Sequence, residues 1–362
     1  MQVLPDCSLA HMNTLGLPAR AELLAQPDSE AALQALLCDA AYAGLPRTVI
    51  GEGSNLVLVG DIPGLVIRPA LRGIALLSET QGQALVEVGA GENWDTFVAW
   101  TLAQGWQGLE NLSLIPGACG AAPFQNIGAY GVELADLLVC LDAVSLRDGT
   151  VRTFTRDECG FAYRDSRFKS AERGQWLITR LRLRLNRTPH LQLGYADLAA
   201  RFAELPAAQQ TPGGLRDLVC AIRRAKLPDP AVLPNAGSFF KNPVVSAEEH
   251  AALRQRFPDI VAFTQRDGHV KLAAGWLIEQ AGWKGRRVGD LGMHAQQALV
   301  LVNHGAATGR VTGADVLAFA AGVRESVRAR FGVTLEQEPV VLPPPTSGHP
   351  PQKAVRNPSA NE

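Results

Sequence analysis

IPGACGAAPFQNIGAYG, residues 115–131, sets glycines at 117, 120, 128 and 131 among small residues around Cys119. Positions without a side chain let the backbone approach a planar or extended ligand closely. A shorter loop lies upstream, Gly51-Glu52-Gly53-Ser54-Asn55, between two β-like runs. Its small residues let backbone N–H groups converge on an anion without help from a lysine. Either loop alone also reads as ordinary turn chemistry. GEGSN is not a dinucleotide fingerprint, because no third glycine opens a helix and no phosphate-loop lysine follows. Two such loops flanking strands in one lobe favour a nucleotide cofactor held by backbone and argue against a Rossmann site.

Upstream of these loops the apolar spacing of Leu33, Leu36, Leu37 and Ala40 predicts a helix over 29–42, stopped at Gly44. Short β-like runs follow at 48–50, 56–59 and 65–67. A run at 85–89 leads to GAGENW and a second helix through Phe97, Val98 and Leu102. Downstream, strands are expected at 139–146, 151–154 and 178–185, with a turn at Asp148-Gly149. The alternation LRLRL in the last of these implies one wet face. The final third changes to a helix carrying Leu215, Leu218, Val219 and Ile222. A second helix is capped by Ser246 with Glu249 three residues on, and a third covers 316–330 before Gly332. A last strand is expected over 334–342.

The chain has 362 residues, 47% of them hydrophobic, enough for two or three domains with full cores. Lys and Arg number 34 against 35 Asp and Glu, so no global field draws the protein to nucleic acid or a lipid surface. No leader-like N-terminus and no long apolar run are read in the sequence, so a cytoplasmic protein without membrane insertion is expected. The six cysteines are widely spaced, with no metal-type pattern, and are expected to be reduced and structural, Cys119 being the one inside a glycine-rich loop.

GEGSN, GAGENW, LIPG, QNIGAYGVEL, FAYRDSRFK, KLPDP, NAGSFFKNP, KLAAGWLIEQ and HAQQALVLVN occur in this order. Together they resemble the UDP-N-acetylenolpyruvoylglucosamine reductase (MurB) family, from about residue 13 to 341. The resemblance implies an α+β fold: a two-lobed FAD-binding domain of the vanillyl-alcohol-oxidase type over 1–220, with lobes of about 1–70 and 71–220, and a smaller α/β substrate-binding domain over 221–331. It further implies a strand at 332–342 returning to the FAD domain, and a Pro-rich disordered tail at 343–362. The implied activity is peptidoglycan precursor synthesis, serving cell wall biogenesis, shape and division. NADPH reduces FAD, and hydride then reaches C3 of the enolpyruvyl group of UDP-N-acetylglucosamine enolpyruvate while a proton reaches C2. A monomer is expected.

The same resemblance assigns residues. Arg164 stabilises the enolate, Ser238 donates the proton to C2, and Glu336 supplies a carboxyl group working with Arg164. Glu338 lies two residues on and would face the same side of a strand, but alignment on Leu335 favours Glu336. Gly51, Glu52, Gly53, Ser54 and Asn55 are expected to bind the cofactor. So are Ile115, Pro116, Gly117, Cys119, Gly120, Gln125, Asn126, Gly128, Ala129 and Tyr130. Tyr163, Tyr195, Lys226, Asn242 and Gln297 are expected to contact substrate, Gln297 in preference to Gln296, with no metal ligands. Read from the residues alone, Arg164 could be a structural partner of Asp165 and NAGS a plain turn. A related FAD oxidase and a non-catalytic nucleotide binder also stay open.

Overall fold

The computed structural model describes residues 1–344 apart from Gln81 and Arg266. The tail expected from 343 therefore lies outside the described residues beyond Pro344. The first lobe is a sheet ordered Val3–Ser8, Arg20–Ala25, Ile62–Ile67, Arg47–Val49. Its first pair is antiparallel and the other two are parallel. Helix α1 (Glu30–Cys38) covers it with Leu33, Leu36 and Leu37. The helix expected to reach residue 42 stops early because Asp39 turns extended. Its carboxylate then accepts from the Ala41 N–H and caps a separate turn, Ala40–Tyr42.

The second lobe is an antiparallel sheet ordered Val151–Thr155, Leu138–Ser145, Trp176–Asn186, Gln83–Gly89, Ile74–Thr80. Leu181, Leu183 and Leu185 point into the core with α2 (Trp94–Ala103), which contributes Trp94, Phe97 and Val98. The wet face carries Arg182, which donates to Asp142 and Glu87, with Arg180 joining Glu87. That ladder explains the arginines of LRLRL as cross-strand ion pairs rather than as an anion site.

Two helices follow, α3 (Ala196–Ala203) and α4 (Pro212–Lys226). They pack Leu198 and Phe202 against Leu215, Val219 and Ile222. The remaining chain forms a sheet ordered Asn235–Ser238, Val300–Asn303, Leu291–Met293, Arg287–Val288 and a smaller one of Val244–Val245, Val270–Leu272 and Ala262–Thr264. Helix α5 (Ala247–Arg256) opens on the Ser246/Glu249 capping box, with α6 (Ala274–Gln280) next. Helix α7 (Gly313–Phe331) starts three residues earlier than expected. A capping box of Thr312 and Asp315 satisfies its first N–H groups, and Gly332, with φ +76°, stops it.

The largest core runs without a break from Leu15, Leu17 and Val57 of the first lobe to Phe239, Leu277, Val323 and Phe331. Each such side chain, fully buried, contributes about 1.5–3 kcal/mol, so this joint is a main source of stability. It is closed by Val340–Leu342, which pairs in parallel with Leu56–Leu58. The strand expected over 334–342 is limited to those three residues, because Pro339 has no N–H to donate. Gln337 makes only an isolated bridge with Phe240. Among the described residues no helix is long and apolar enough to cross a membrane.

Candidate active site

The two glycine-rich loops face each other across a cleft of about 530 Å³. Gly51, Glu52, Gly53, Ser54 and Asn55 line it from one side, and Ile115, Pro116, Gly120 and Gln125 from the other. Ser54 Oγ donates to the Pro116 carbonyl at 3.2 Å, and Asn55 Nδ2 donates to Gln125 Oε1 at 2.5 Å, so the loops are tied together. Gly53 has φ +72°, and a Cβ there would stand 2.0 Å from the Met12 carbonyl oxygen. At Gly120 a Cβ would stand 2.6 Å from that of Ala90. Only glycine fits at either point.

Beside this cleft, Ala162 and Asp165 exchange both backbone hydrogen bonds at 3.1 Å, leaving Tyr163 and Arg164 at the tip of a tight turn. Arg164 has φ +54°, a left-handed conformation that costs a non-glycine residue about 1–2 kcal/mol. Its guanidinium donates to the Gly128 carbonyl at 2.6 Å, and its Nε lies 3.3 Å from Glu338 Oε1. Burial pushes the Glu338 carboxyl above the usual carboxylate range, opposed by Arg164, Lys169 and Lys241. Glu336, by contrast, holds an exposed carboxylate against Lys241 Nζ at 2.5 Å. The expectation that Glu336 works beside Arg164 is corrected: Glu338 occupies that place. Both carboxyls share one side of the segment, but residues 336–338 run antiparallel to 239–241, so one faces inward and the other the rim.

Other expected residues are distributed as follows. Ser238 is half-buried at the end of the Asn235–Ser238 strand, paired in register with Val300. Tyr163 has the Lys271 ammonium 4.9 Å above its ring, and burial raises its phenol. Asn242 Oδ1 accepts from the Ala274 N–H at 2.9 Å, which aims it from the start of α6. Tyr195 is exposed and meets Tyr130 edge to face at 5.5 Å. Lys226 pairs with Asp197 at 3.4 Å, and Gln297 is half-buried with its Oε1 accepting from the Leu299 N–H at 3.4 Å.

Two comparisons of sequence fit this geometry. Residues 21–155 match the model of an FAD binding domain, and residues 229–342 match that of the UDP-N-acetylenolpyruvoylglucosamine reductase C-terminal domain. A UDP-N-acetylenolpyruvoylglucosamine reductase of Alcanivorax borkumensis is 56% identical over 93% of this chain and 96% of that relative. The chain belongs to this reductase family. A reductase of the same name from Pseudomonas aeruginosa is 54% identical over 94% of this chain and 98% of its own. The crystal structure of the family's member from Thermus caldophilus superposes with a TM-score of 0.63 at 26% identity, covering 94% of this chain and 98% of that one. The chain is thus an oxidoreductase with FAD as cofactor, and the Gly53 and Gly120 cradle fits such a group.

Within this reductase the second loop is not all cofactor cradle, which narrows what its sequence suggested. Cys119 turns into the core of the second lobe, where burial holds its thiol well above the usual range, so it is a packing residue. Gly117 lies against Ser54 outside the cleft lining, its carbonyl accepting from the Trp94 N–H at 2.9 Å. Asn126 is buried and spends its amide on Glu133 and the Ala162 carbonyl, bracing the Arg164 turn. Gly128 serves Arg164. Ala129 and Tyr130 also stand outside the cleft lining, with Tyr130 against the α3–α4 pair.

Several charged residues of the site escaped the sequence reading. Lys169 Nζ donates to the Arg164 carbonyl at 3.1 Å, and Lys241 meets Glu336. Arg223 of α4 is driven below its usual pKa by burial, and its Nε has no hydrogen-bond partner. The strings FAYRDSRFK and KNP already contained the first two, but a lysine there carries no signal of its own until the fold buries it.

Proposed function

We propose that this chain reduces UDP-N-acetylglucosamine enolpyruvate to UDP-N-acetylmuramate with electrons from NADPH. The observation that carries the reading is the half-buried Arg164–Glu338 pair beside the glycine-lined cleft. FAD, when bound, would supply the redox chemistry, a two-electron carrier between NADPH and the enolpyruvyl double bond. The cleft residues Gly51, Gly53, Ser54, Ile115, Pro116 and Gly120 hold and orient that group.

Addition of hydride at C3 leaves negative charge on C2 and its carboxylate. Arg164 stabilises that charge where it lies, a planar guanidinium being able to bind a carboxylate with two parallel N–H bonds. Glu338 holds the guanidinium in place from the other side. Ser238 gives its hydroxyl proton to C2, which completes the saturation of the bond, and a proton from solvent restores the hydroxyl. Tyr195, Lys226, Asn242 and Gln297 bind the UDP-sugar, Lys226 exchanging Asp197 for a phosphate. The reading includes a monomeric, cytoplasmic enzyme in which NADPH and UDP-sugar alternate.

The test is an anaerobic absorbance trace of the purified holoenzyme. NADPH should bleach the flavin, and the enolpyruvyl UDP-sugar added next should restore its colour. Bleaching without recovery would remove the proposed substrate.

A further inference from the structure

Lys169 stands between the 115–131 loop and the Arg164 turn. Its backbone N–H donates to the Ser166 carbonyl at 3.1 Å, and the Ser166 hydroxyl donates to the Phe124 carbonyl of the 115–131 loop at 2.7 Å. That anchors the lysine to the cofactor loop. Its ammonium reaches back to the carbonyl of Arg164, the residue held at φ +54°. The charges that face it come from each neighbouring segment: Asp165 from its own turn, Lys241 from the chain after Ser238, and Glu336 and Glu338 from the last segment.

We propose that Lys169 is a positioning residue for the reduction, holding Arg164 and Glu338 in register so that the guanidinium meets the developing anion of the substrate. The inference rests on the function proposed above. A hydrogen bond from a cationic donor is among the stronger ones available to a carbonyl, and here it satisfies the Arg164 carbonyl, which the Ala162/Asp165 pair leaves outside its ladder. The positive charge also acts on Glu338, one of three cations that favour its ionised form.

Burial, and then repulsion from Lys241, push the Lys169 ammonium down to about 8. Below that value the lysine is charged, Glu338 is helped to stay ionised, and Arg164 keeps its partner. Above it the amine is neutral, Glu338 loses a cation, and the pair loosens. The half-reaction with substrate should therefore slow as pH rises through about 8, whereas reduction by NADPH, which does not call on Arg164, should not share that limb.

The experiment compares wild type, K169R and K169M as full-length holoenzymes by anaerobic stopped flow across neutral to alkaline pH. K169M should recolour with the enolpyruvyl UDP-sugar about tenfold to 100-fold more slowly, as expected for loss of alignment, with NADPH reduction and flavin content unchanged. K169R should recover most of the rate and lack the limb near pH 8. K169M at the wild-type rate, or K169R retaining the wild-type limb, overturns the inference. If K169M does not accumulate as a folded holoenzyme, the K169R pH profile alone decides. A wild type that never recolours would sink the proposed function instead.

Discussion

Arg164 and Glu338 lie 174 positions apart in the chain and meet at 3.3 Å, with side chains only 21% and 13% exposed. A pair this dry depends on both members, since removing one leaves the other charge buried without compensation. Its position also separates two carboxylates that the sequence could not.

Glu338→Gln should lower turnover by about 100-fold, the cost typical of losing a fixed charge at a site of developing charge. Glu336→Gln should stay within about threefold of wild type, because its carboxylate stands in solvent at the rim, away from Arg164. Steady-state consumption of NADPH with the enolpyruvyl UDP-sugar measures both. The reverse ranking would return the role to Glu336.

Arg164→Lys keeps a charge but not the fork that can meet a carboxylate and Glu338 together. We expect a fall in kcat of about 100-fold with normal flavin content, since Arg164 is not among the residues lining the cofactor cleft. Flavin absorbance relative to protein absorbance is the control. Loss of flavin in this variant would show that the turn supports the cofactor instead.

Gly53→Ala should purify without flavin. The added carbon would stand 2.0 Å from the Met12 carbonyl oxygen, and backbone on both sides has to move. Gly44→Ala is the matched control: its φ is also positive, at +79°, but nothing lies within 4 Å of the added carbon. It should keep its flavin at a small cost in stability.

Asp95 takes two hydrogen bonds from Arg216 of α4, at 2.7 and 2.9 Å, and one from the Leu114 N–H at 2.5 Å. Burial works against its ionised form, but these donors win and hold its carboxyl below the ordinary carboxylate range. Its contribution is present above the unfolded value, near pH 4, and is lost as pH falls through the lower folded value. Asp95→Asn should therefore be destabilised by about 1–3 kcal/mol at neutral pH, the gap closing in acid. Urea unfolding at two pH values reads this directly.

The parts of the site that were legible in sequence are those whose demands are local. Gly53 needs a positive φ and an empty Cβ position whatever surrounds it, and Ser246 with Glu249 forms its capping box within one turn of chain. What was not legible depends on neighbours from elsewhere. Glu336 and Glu338 lie two residues apart in one extended segment and differ in whether Lys241 or Arg164 stands opposite. Cys119 reads as one more small residue of a loop until the second lobe closes over its thiol. The strand Ile74–Thr80 is exposed along most of its length, so it never shows the apolar alternation that marks a sheet edge on a core.

Val340–Leu342 lies beside Leu56–Leu58, immediately after the loop that begins the cofactor cleft; Asn55 Nδ2 donates to the Glu338 carbonyl at 3.5 Å, and the Asn55 carbonyl accepts from the Val340 N–H at 3.0 Å. During synthesis, then, the first cofactor loop emerges long before the strand that steadies it. Release of nearly the whole chain from the ribosome must precede closure of that joint. Pairing of such distant segments makes assembly slow relative to the local helices. Closure of the cleft thereby becomes a late event in the life of the polypeptide, and a fragment cut short before Glu338 would leave the first lobe with an open seam and Arg164 without its carboxylate partner.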